Sequence, residues 1–526
     1  MIDIKNMNEE YEGYCKDESR SVGYADSISF PENEKEVIEI LRKMNAEGKQ
    51  ITIQGGRTGL AGAAVPYGGH VLNLSKMSHL LGLSKNGDIY YLRVEPGLVL
   101  INLRKMIDDR AFDTTGWSEE SLAAYKEFTS GPEYFFPTDP TETSACIGGI
   151  VSCNASGART YHYGPARSHV RALRIALCDG DVIALKRGEV FAKGRSLSLT
   201  TEGGRIIDIA LPTYKMPNTK NASGYYIADD MDAIDLFIGS DGTLGVITEI
   251  EIELLPLPKV IWGISCFFDE EATALDFTIA VRDEIKDAVA IEYFDRGAIG
   301  ILRRQKTLST AFAALPDVDE KADDCVFVEL HCEDDESAMK ALYKIGEIMT
   351  RVGGDEKDTW VARTAVDKDK QQFFRHACPE STNMLIDERK RIDPIITKLG
   401  ADMSVPDARL KDVVEMYRRT LKENNLETAI WGHIGNNHLH VNILPRDGED
   451  YKRGKELYKQ WARTISDMGG AVSAEHGVGK MKRDFLTVMY GIDHIKEMAR
   501  MKQQIDPEFM FGRGNLFAPD VLTKED

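Results

Sequence analysis

No two of the eight cysteines, at 15, 146, 153, 178, 266, 325, 332 and 378, stand in a C-x-x-C pair. Zinc-ribbon, thioredoxin-like and ferredoxin-type cluster sites therefore have no support, and the pattern reads as free thiols in a reducing compartment. Long apolar runs are also missing: nothing approaches the roughly 18 uninterrupted apolar residues of a membrane span. Basic residues are in deficit, with 65 Lys and Arg against 85 Asp and Glu, a formal charge of −20. Such a surface repels nucleic acid and anionic lipid, which excludes a general nucleic-acid role. The first twenty residues, MIDIKNMNEEYEGYCKDESR, have neither the basic-then-apolar order of a secretory signal nor the Arg-rich character of a transit peptide. A cytoplasmic location is expected, with peripheral attachment at the inner face of the membrane as its variant.

Two common nucleotide-binding signatures are absent as well. Gly55, Gly56, Gly59 and Gly62 do not fit G-x-G-x-x-G, and GVGKMK (477–482) carries Met481 where a P-loop needs Ser or Thr for magnesium. What remains is an ordinary globular composition, 42% hydrophobic and 29% charged, over 526 residues, enough for two to four domains. No internal repeat or low-complexity tract is present.

Along the chain, Asn33 with Glu36, the apolar Val37, Ile38, Ile40, Leu41 and Met44, and Gly48 predict a capped amphipathic helix. The strand QITIQ (50–54) then runs into GGRTGLAGAA, a loop able to turn tightly and present several N–H groups to one phosphate. Within it Arg57 and Thr58 either contact phosphate or cap a turn. A second small-residue stretch spans 137–170 and leads into a hairpin about Asp179-Gly180-Asp181. A third, FIGSDGTLG (237–245), precedes VITEIEIELLP, whose alternation predicts a half-exposed strand. The region 109–135, with Trp117 and Tyr125, reads as a surface insertion. Pro256 and Pro258 mark a domain boundary, so residues 1–256 form a first domain. Strands and helices alternate over 257–430, predicting an α+β domain with helices on one face of a largely antiparallel sheet. Its acidic run ADDCVFVELHCEDDE is expected to be a charged rim around a strand. Residues 431–526 form a third, partly helical segment.

Four of the eleven histidines fall between 433 and 476. His438 and His440 share a strand face by the period of two, and Glu475 precedes His476 in a glycine-rich loop. Imidazole plus carboxylate suits zinc, manganese or iron, so His433, His440 and Glu475 can be written as a metal site with open positions. The alternative, that these histidines satisfy local backbone groups at a domain interface, stays open on spacing alone. His476 suits proton transfer near neutral pH, and Arg375, in FFRHACPE, suits a substrate carboxylate or a solvated ion pair.

Taken in order, the three glycine-rich stretches resemble the FAD-binding domain of the vanillyl-alcohol oxidase and p-cresol methylhydroxylase superfamily. Gly55-Gly56-Arg57-Thr58-Gly59-Leu60 is similar to its pyrophosphate loop. Pro137-Thr138-Asp139, with Thr143, Gly148-Gly149, Asn154, Ser156 and Gly157, is similar to its second flavin-contacting motif, and the stretch with Gly242, Val246 and Ile247 to its third. The second half resembles the D-2-hydroxy-acid dehydrogenase branch, which includes D-lactate and D-2-hydroxyglutarate dehydrogenases and the FAD subunit of glycolate oxidase. GHIGNNHLHVN is similar to its G-H-x-G-D-G-N-x-H-x-N pattern, with Asn436-Asn437-His438 in place of Asp-Gly-Asn, and AEHGVGK resembles its G/A-E-H-G-x-G pattern.

The resemblance implies an α+β fold with a two-subdomain FAD-binding domain, a substrate (cap) domain and a C-terminal helical segment. It also implies oxidation of a D-2-hydroxy acid to the 2-oxo acid, with the hydride passing to flavin N5. His433, His440 and Glu475 would hold a divalent metal (Zn, Mn or Fe) that lowers the hydroxyl pKa, His476 would take the proton, and Arg375 would orient the carboxylate. Because Arg57 stands near where some members tether flavin through His, the FAD is expected to be non-covalent. An external acceptor is implied, whether quinone, electron-transfer flavoprotein, cytochrome or oxygen, and a homodimer is one assembly the family allows. Two departures stand out. His438 replaces the pattern's Asn, and Gly400-Ala401 stand where some members place a Lys for a second substrate carboxylate, which speaks against a dicarboxylic substrate. The competing readings are the superfamily's alkylglycerone-phosphate synthase chemistry, a metallohydrolase, and a non-catalytic flavin-fold subunit.

Overall fold

The computed structural model describes residues 2–522. Its N-terminal half rests on two sheets. In the first, Ile4–Asn6, Ser27–Ser29, His70–Asn73 and Ile51–Gln54 lie in that order, the last three parallel. The helix Glu34–Ala46 buries Val37, Ile40, Leu41 and Met44 against this sheet. Its ends are as the sequence predicts: Asn33 Oδ1 accepts from Glu36 N at 3.1 Å, Glu36 Oε2 accepts from Glu32 N at 2.9 Å, and Gly48 leaves at φ 62°.

The second sheet orders Leu80–Asn86, Ile89–Val94, Val246–Pro256, Val170–Ala176 and Val182–Lys186, all antiparallel, and the 179–181 hairpin joins the last two. Two expectations need correction here. Val246–Pro256 is not half-exposed but central: it has a neighbour on each side, and even Glu253, 5% exposed, is turned inward to an ion pair with Arg171. Nor is 109–135 a surface insertion. Ser118 caps the helix Glu119–Ser130, which carries Phe128 onto Tyr90 and Tyr134. Phe112 stacks on Tyr125, and Trp117 Nε1 donates to Leu80 O at 2.8 Å, so this aromatic cluster is core. The error had a physical source: aromatics without a regular period carry no amphipathic signal, and only packing shows that they share one site.

Beyond Pro256 the chain enters an eight-stranded antiparallel sheet in the order Thr359–Ala362, Val260–Phe268, Asp324–Cys332, Ala288–Phe294, Thr428–His433, His438–Ile443 and Leu399–Gly400, with Met403–Ser404 also pairing His438–Ile443. Strand Thr428–His433 runs through position 431, so no structural unit begins there. The C-terminal stretch instead returns to the first half: the helix Ile492–Ile505 joins its core, and Ile51 N donates to Met510 O at 2.7 Å.

Helices cover both faces of this sheet rather than one. Trp262, Ile264, Val326, Val328 and Leu330 pack under the helices Glu271–Glu284, Asp335–Val352, Leu410–Glu423 and Gly448–Asp467. On the opposite face, Phe267, Phe294 and Cys325 meet the helices Arg296–Leu308 and Ala365–Ile392. Part of that second face is left uncovered by helix and becomes the floor of a cavity. The acidic run around 324–335 is accordingly more than a rim: Asp324 is buried, and Glu329 faces the cavity.

Candidate active site

The cavity measures about 370 Å³, and its floor follows from strand alternation. Ile261 and Gly263, Glu292 and Phe294, Phe327 and Glu329, and Trp431 and His433 are i, i+2 pairs on adjacent strands, with His440 beside them. The register places Gly263 opposite Glu329, Glu292 opposite Phe327, and Trp431 opposite His440. Helix Ala365–Ile392 forms one wall and presents Lys368, Gln371, Gln372, Arg375 and Pro379 at helical spacing. Arg375 is in the expected place. Its guanidinium lies 4.3 Å over the Phe327 ring, Nη2 stands 4.0 Å from Glu292, and buried Nε has no hydrogen-bond partner. A planar donor with unused capacity inside a cavity suits a carboxylate.

At one end of the cavity the two histidine strands turn back on each other. Asn437 closes the turn in the left-handed region at φ 50°, its Nδ2 donating to Val405 O and Asp407 Oδ1. Gly432 takes φ 133°, where a side chain would collide with His440. His433 and His438 thus become a cross-strand pair, and the loop 473–477 brings Glu475 onto them.

One donor atom from each of His433, His438, His440 and Glu475 lies within 4.8 Å of all the others. His433 Nε2 is 3.3 Å from Glu475 Oε2, and its Nδ1 is 2.7 Å from Glu292 Oε1. His440 Nε2 is 3.3 Å from Glu475 Oε1. The three expected ligands are therefore together, and a third histidine, His438, joins them as a fourth donor. Lys220 Nζ, 2.7 Å from Glu475 Oε2, supplies a cation that nothing in its polar loop PNTKNASG announces.

Asp402 is a further functional residue that no sequence motif singles out. It accepts from the backbone N–H groups of Ala474, Glu475 and His476, each at 3.2 Å or less by its closest oxygen. It also faces His476 Nδ1 at 3.2 Å, pairs with Lys482, and accepts from Ser473 Oγ at 2.9 Å. This carboxylate sets the shape of the loop that carries Glu475 and His476.

Electrostatics separate Glu475 and the histidines around it. Burial opposes charge on Glu475, but Lys220 and the imidazoles outweigh it and hold its pKa well below the carboxylate range. Burial and Lys220 push His438 well below the usual imidazole value. Burial also opposes charge on His433, yet Glu292 and Glu475 prevail and raise it to about 9. For His476, Asp402 and Glu475 likewise override burial and raise the pKa. An ionised Glu475 beside a neutral His438 is the state a metal needs, and binding would release the proton His433 keeps. Three carboxylates (Glu475, Glu292, Asp402) face three cations: Lys220, Lys482 and, 4.0 Å from Glu292, Arg375.

A second cleft opens on the other side of Glu475 and His476. It is lined by the glycine loop Gly55 to Leu60, by Gly148, Gly149 and Ser156, and by Gly242 and Ile247, with Glu475 and His476 at its end. These members of the expected cofactor set converge. Other members do not line the cleft. Asp139 and Thr143 face the first cavity, where Asp139 pairs with Arg104 at 3.0 Å. Thr138 is buried, its carbonyl held by Arg104; Pro137, just before it, is buried too. Asn154 Oδ1 accepts from Arg167 N, and Val246 belongs to the core. At Gly157 a Cβ would lie 1.7 Å from Asp139 O, so that glycine permits a backbone crossing rather than a ligand contact. Arg57 lines the cleft too, but its guanidinium is engaged elsewhere, stacking on Tyr14 at 4.3 Å and donating to Gly13 O. The AEHGVGK loop is anchored here as well: Asp241 Oδ2 accepts from Val478 N and Gly479 N, and Lys480 Nζ reaches Asn515 Oδ1 at 2.7 Å.

This pair of cavities can be set beside known proteins. The profile for "FAD linked oxidases, C-terminal domain" matches residues 257–516, and that for "FAD binding domain" matches 25–115 and 120–186. The chain belongs to the FAD-linked oxidase family. It is an FAD-dependent oxidoreductase. Among relatives, it is 25% identical to D-2-hydroxyglutarate dehydrogenase of Stutzerimonas stutzeri over 98% of this chain and 96% of that one. It is 25% identical to D-lactate dehydrogenase of Archaeoglobus fulgidus over 92% and 90%, and 23% identical to glycolate oxidase subunit GlcD of Bacillus subtilis over 95% and 90%. The fold is shared with 4-ethylphenol oxidase from Gulosibacter chungangensis, at TM-score 0.65 and 14% identity over 99% of this chain and 95% of that one. For this FAD-linked oxidase the second cleft fits the cofactor: a Cβ at Gly59 or Gly149 would meet no atom within 4 Å, so both glycines border open space that a ligand fills. Among the described residues no helix is long and apolar enough to cross a membrane.

Proposed function

We propose that the protein oxidises a D-2-hydroxy acid to the 2-oxo acid and delivers the electrons to an external acceptor. One observation carries this reading. Arg375, its buried Nε without a partner, faces one cavity together with His433 and His440, while Glu475 and His476, in contact with those histidines, end the FAD cleft. When bound, FAD supplies the acceptor for the hydride from C2, and the metal held by His433, His440 and Glu475 supplies the Lewis acidity that makes the hydroxyl easier to deprotonate.

Each remaining task falls to the chain. Arg375 holds the substrate carboxylate through paired donors and, with the sheet floor, fixes which face of C2 is turned to the flavin. His476, whose Nδ1 faces Asp402 at 3.2 Å and whose Nε2 faces Glu475 Oε1 at 3.3 Å, takes the hydroxyl proton. Glu475 is kept ionised by Lys220 and the imidazoles around it. The balance closes with two electrons and the C2 hydrogen leaving as hydride and the hydroxyl proton going to His476. All eight cysteines are free and scattered, so the two electrons go on to quinone, an electron-transfer flavoprotein, a cytochrome or oxygen. Non-covalent FAD and a reducing, cytoplasmic setting complete the proposal.

The test is the anaerobic visible spectrum of the purified protein before and after addition of D- and L-2-hydroxy acids. Flavin bands that bleach with D-acids alone are expected. Flavin bands that bleach with no 2-hydroxy acid would overturn the reading.

A further inference from the structure

His438 differs from the other cluster members in what surrounds it. It is 0% exposed, and its Nδ1, 3.7 Å from Glu475 Oε2, makes no hydrogen bond. A fully buried imidazole nitrogen without a partner is costly unless something absent from the protein satisfies it. Its other nitrogen is accounted for: Nε2 stands 2.9 Å from Asp402 Oδ1, close enough for an ion-pair contact though poorly aligned for a hydrogen bond. His433 shows the same arrangement with a different carboxylate, Nδ1 on Glu292 at 2.7 Å and Nε2 turned to Glu475. A carboxylate on the far ring nitrogen is how proteins fix the tautomer and aim of a metal-binding imidazole. The sheet makes this deliberate, since His438 pairs across the strands with both His433 and Ser404, two residues from Asp402.

We propose that His438 is a fourth ligand of the metal, presented through Nδ1, and that Asp402 is its positioning residue. The inference rests on the metal-assisted reading above and adds to it a site of three imidazoles and one carboxylate. Four protein donors complete a tetrahedral set, so an ion that also takes a substrate oxygen must accept five or more ligands. Lys220 does not replace the ion for His438: its ammonium sits on Glu475 Oε2 and on Gly157 O and makes no bond to the imidazole.

The experiment uses FAD-loaded protein carrying one equivalent of Zn²⁺, with X-ray absorption at the zinc edge to count imidazoles and chelator competition to measure affinity. Wild type is expected to show three imidazoles and His438→Asn two. Zinc affinity should fall in His438→Asn by at least the ~10–100-fold that loss of an outer partner costs. Asp402→Asn should lose about 10–100-fold in affinity while keeping three imidazoles and the Glu475 oxygen in the zinc shell; because Asp402 also holds the 473–477 loop, loss of that oxygen instead would assign Asp402 a purely structural role. The wild-type count stands even if a variant fails to fold. Two imidazoles in wild type overturn this inference while leaving the hydroxy-acid reading intact. No stoichiometric zinc overturns both the fourth ligand and the metal part of that reading, and bleaching of the flavin by D-acids then judges the rest separately.

Discussion

Replacing Arg375 by Met removes a guanidinium whose buried Nε has no partner in the cavity while keeping much of the side-chain volume. Its side chain is 18% exposed, so its bond to a substrate carboxylate forms largely out of water. Hydrogen bonds to a charged group contribute about 1.5–3 kcal/mol each, and the paired geometry offers two. With part of this offset by desolvation, a loss of about 3–4 kcal/mol of substrate binding is expected, or roughly 140- to 700-fold at about 1.4 kcal/mol per tenfold. Arg375→Lys keeps the charge but not the fork and should recover about tenfold of that. The assay is anaerobic stopped-flow bleaching of the flavin against D-acid concentration, from which the apparent Kd and the limiting rate are read separately. FAD content should stay at the wild-type level, because Arg375 does not line the FAD cleft. The lost stacking on Phe327 costs the fold only about 0.5–1 kcal/mol. An Arg375→Met protein whose apparent Kd stays within twofold of wild type would refute the assignment.

Three more outcomes are expected. His476→Ala should bind FAD normally yet reduce it about 10²–10⁴-fold more slowly, as loss of a general base does; single-turnover rates equal to wild type would remove His476 from the reaction. Trp117→Ala should cost the N-terminal half about 3–5 kcal/mol in urea unfolding, because the ring is buried among Phe112 and Tyr125 and hydrogen-bonded to Leu80. An unchanged midpoint would restore the surface-insertion reading. Asp324 is raised to about 7, first by burial and then by Glu271 and Asp295, against the hydrogen bond from Tyr293. The folded state therefore binds the extra proton between about pH 4 and 7, so this group's stabilisation is complete below the unfolded carboxylate pKa and is lost as pH rises through 7. Asp324→Asn should flatten that fall and be more stable than wild type at pH 8 but not at pH 5; equal urea midpoints at pH 8 would contradict it.

Much of this was legible in the chain itself. The helix Glu34–Ala46 with its Asn33 cap, the 179–181 hairpin, and the alternating strands and helices after Pro258 follow from local periodicity and capping, which depend only on neighbours in sequence. The motif order pointed to FAD, and histidine spacing pointed to His433, His440 and Glu475, because glycine loops and ligand pairs are local patterns.

What spacing cannot encode is which distant group meets which. Lys220 and Glu475 are 255 residues apart, and Asp402 and His476 are 74 apart. Glu292 reaches His433 only because two antiparallel strands set their register side by side. Only folding showed that Arg57 turns its charge away from the cleft, and only folding moved Asp139 and Thr143 to the other cavity. The sequence by itself determined the elements and the kinds of chemistry they carry, since these follow from side-chain identity and short-range geometry. The tertiary structure alone decided the company each charge keeps, because charges, burial and orphaned donors are properties of packing between segments far apart in the chain.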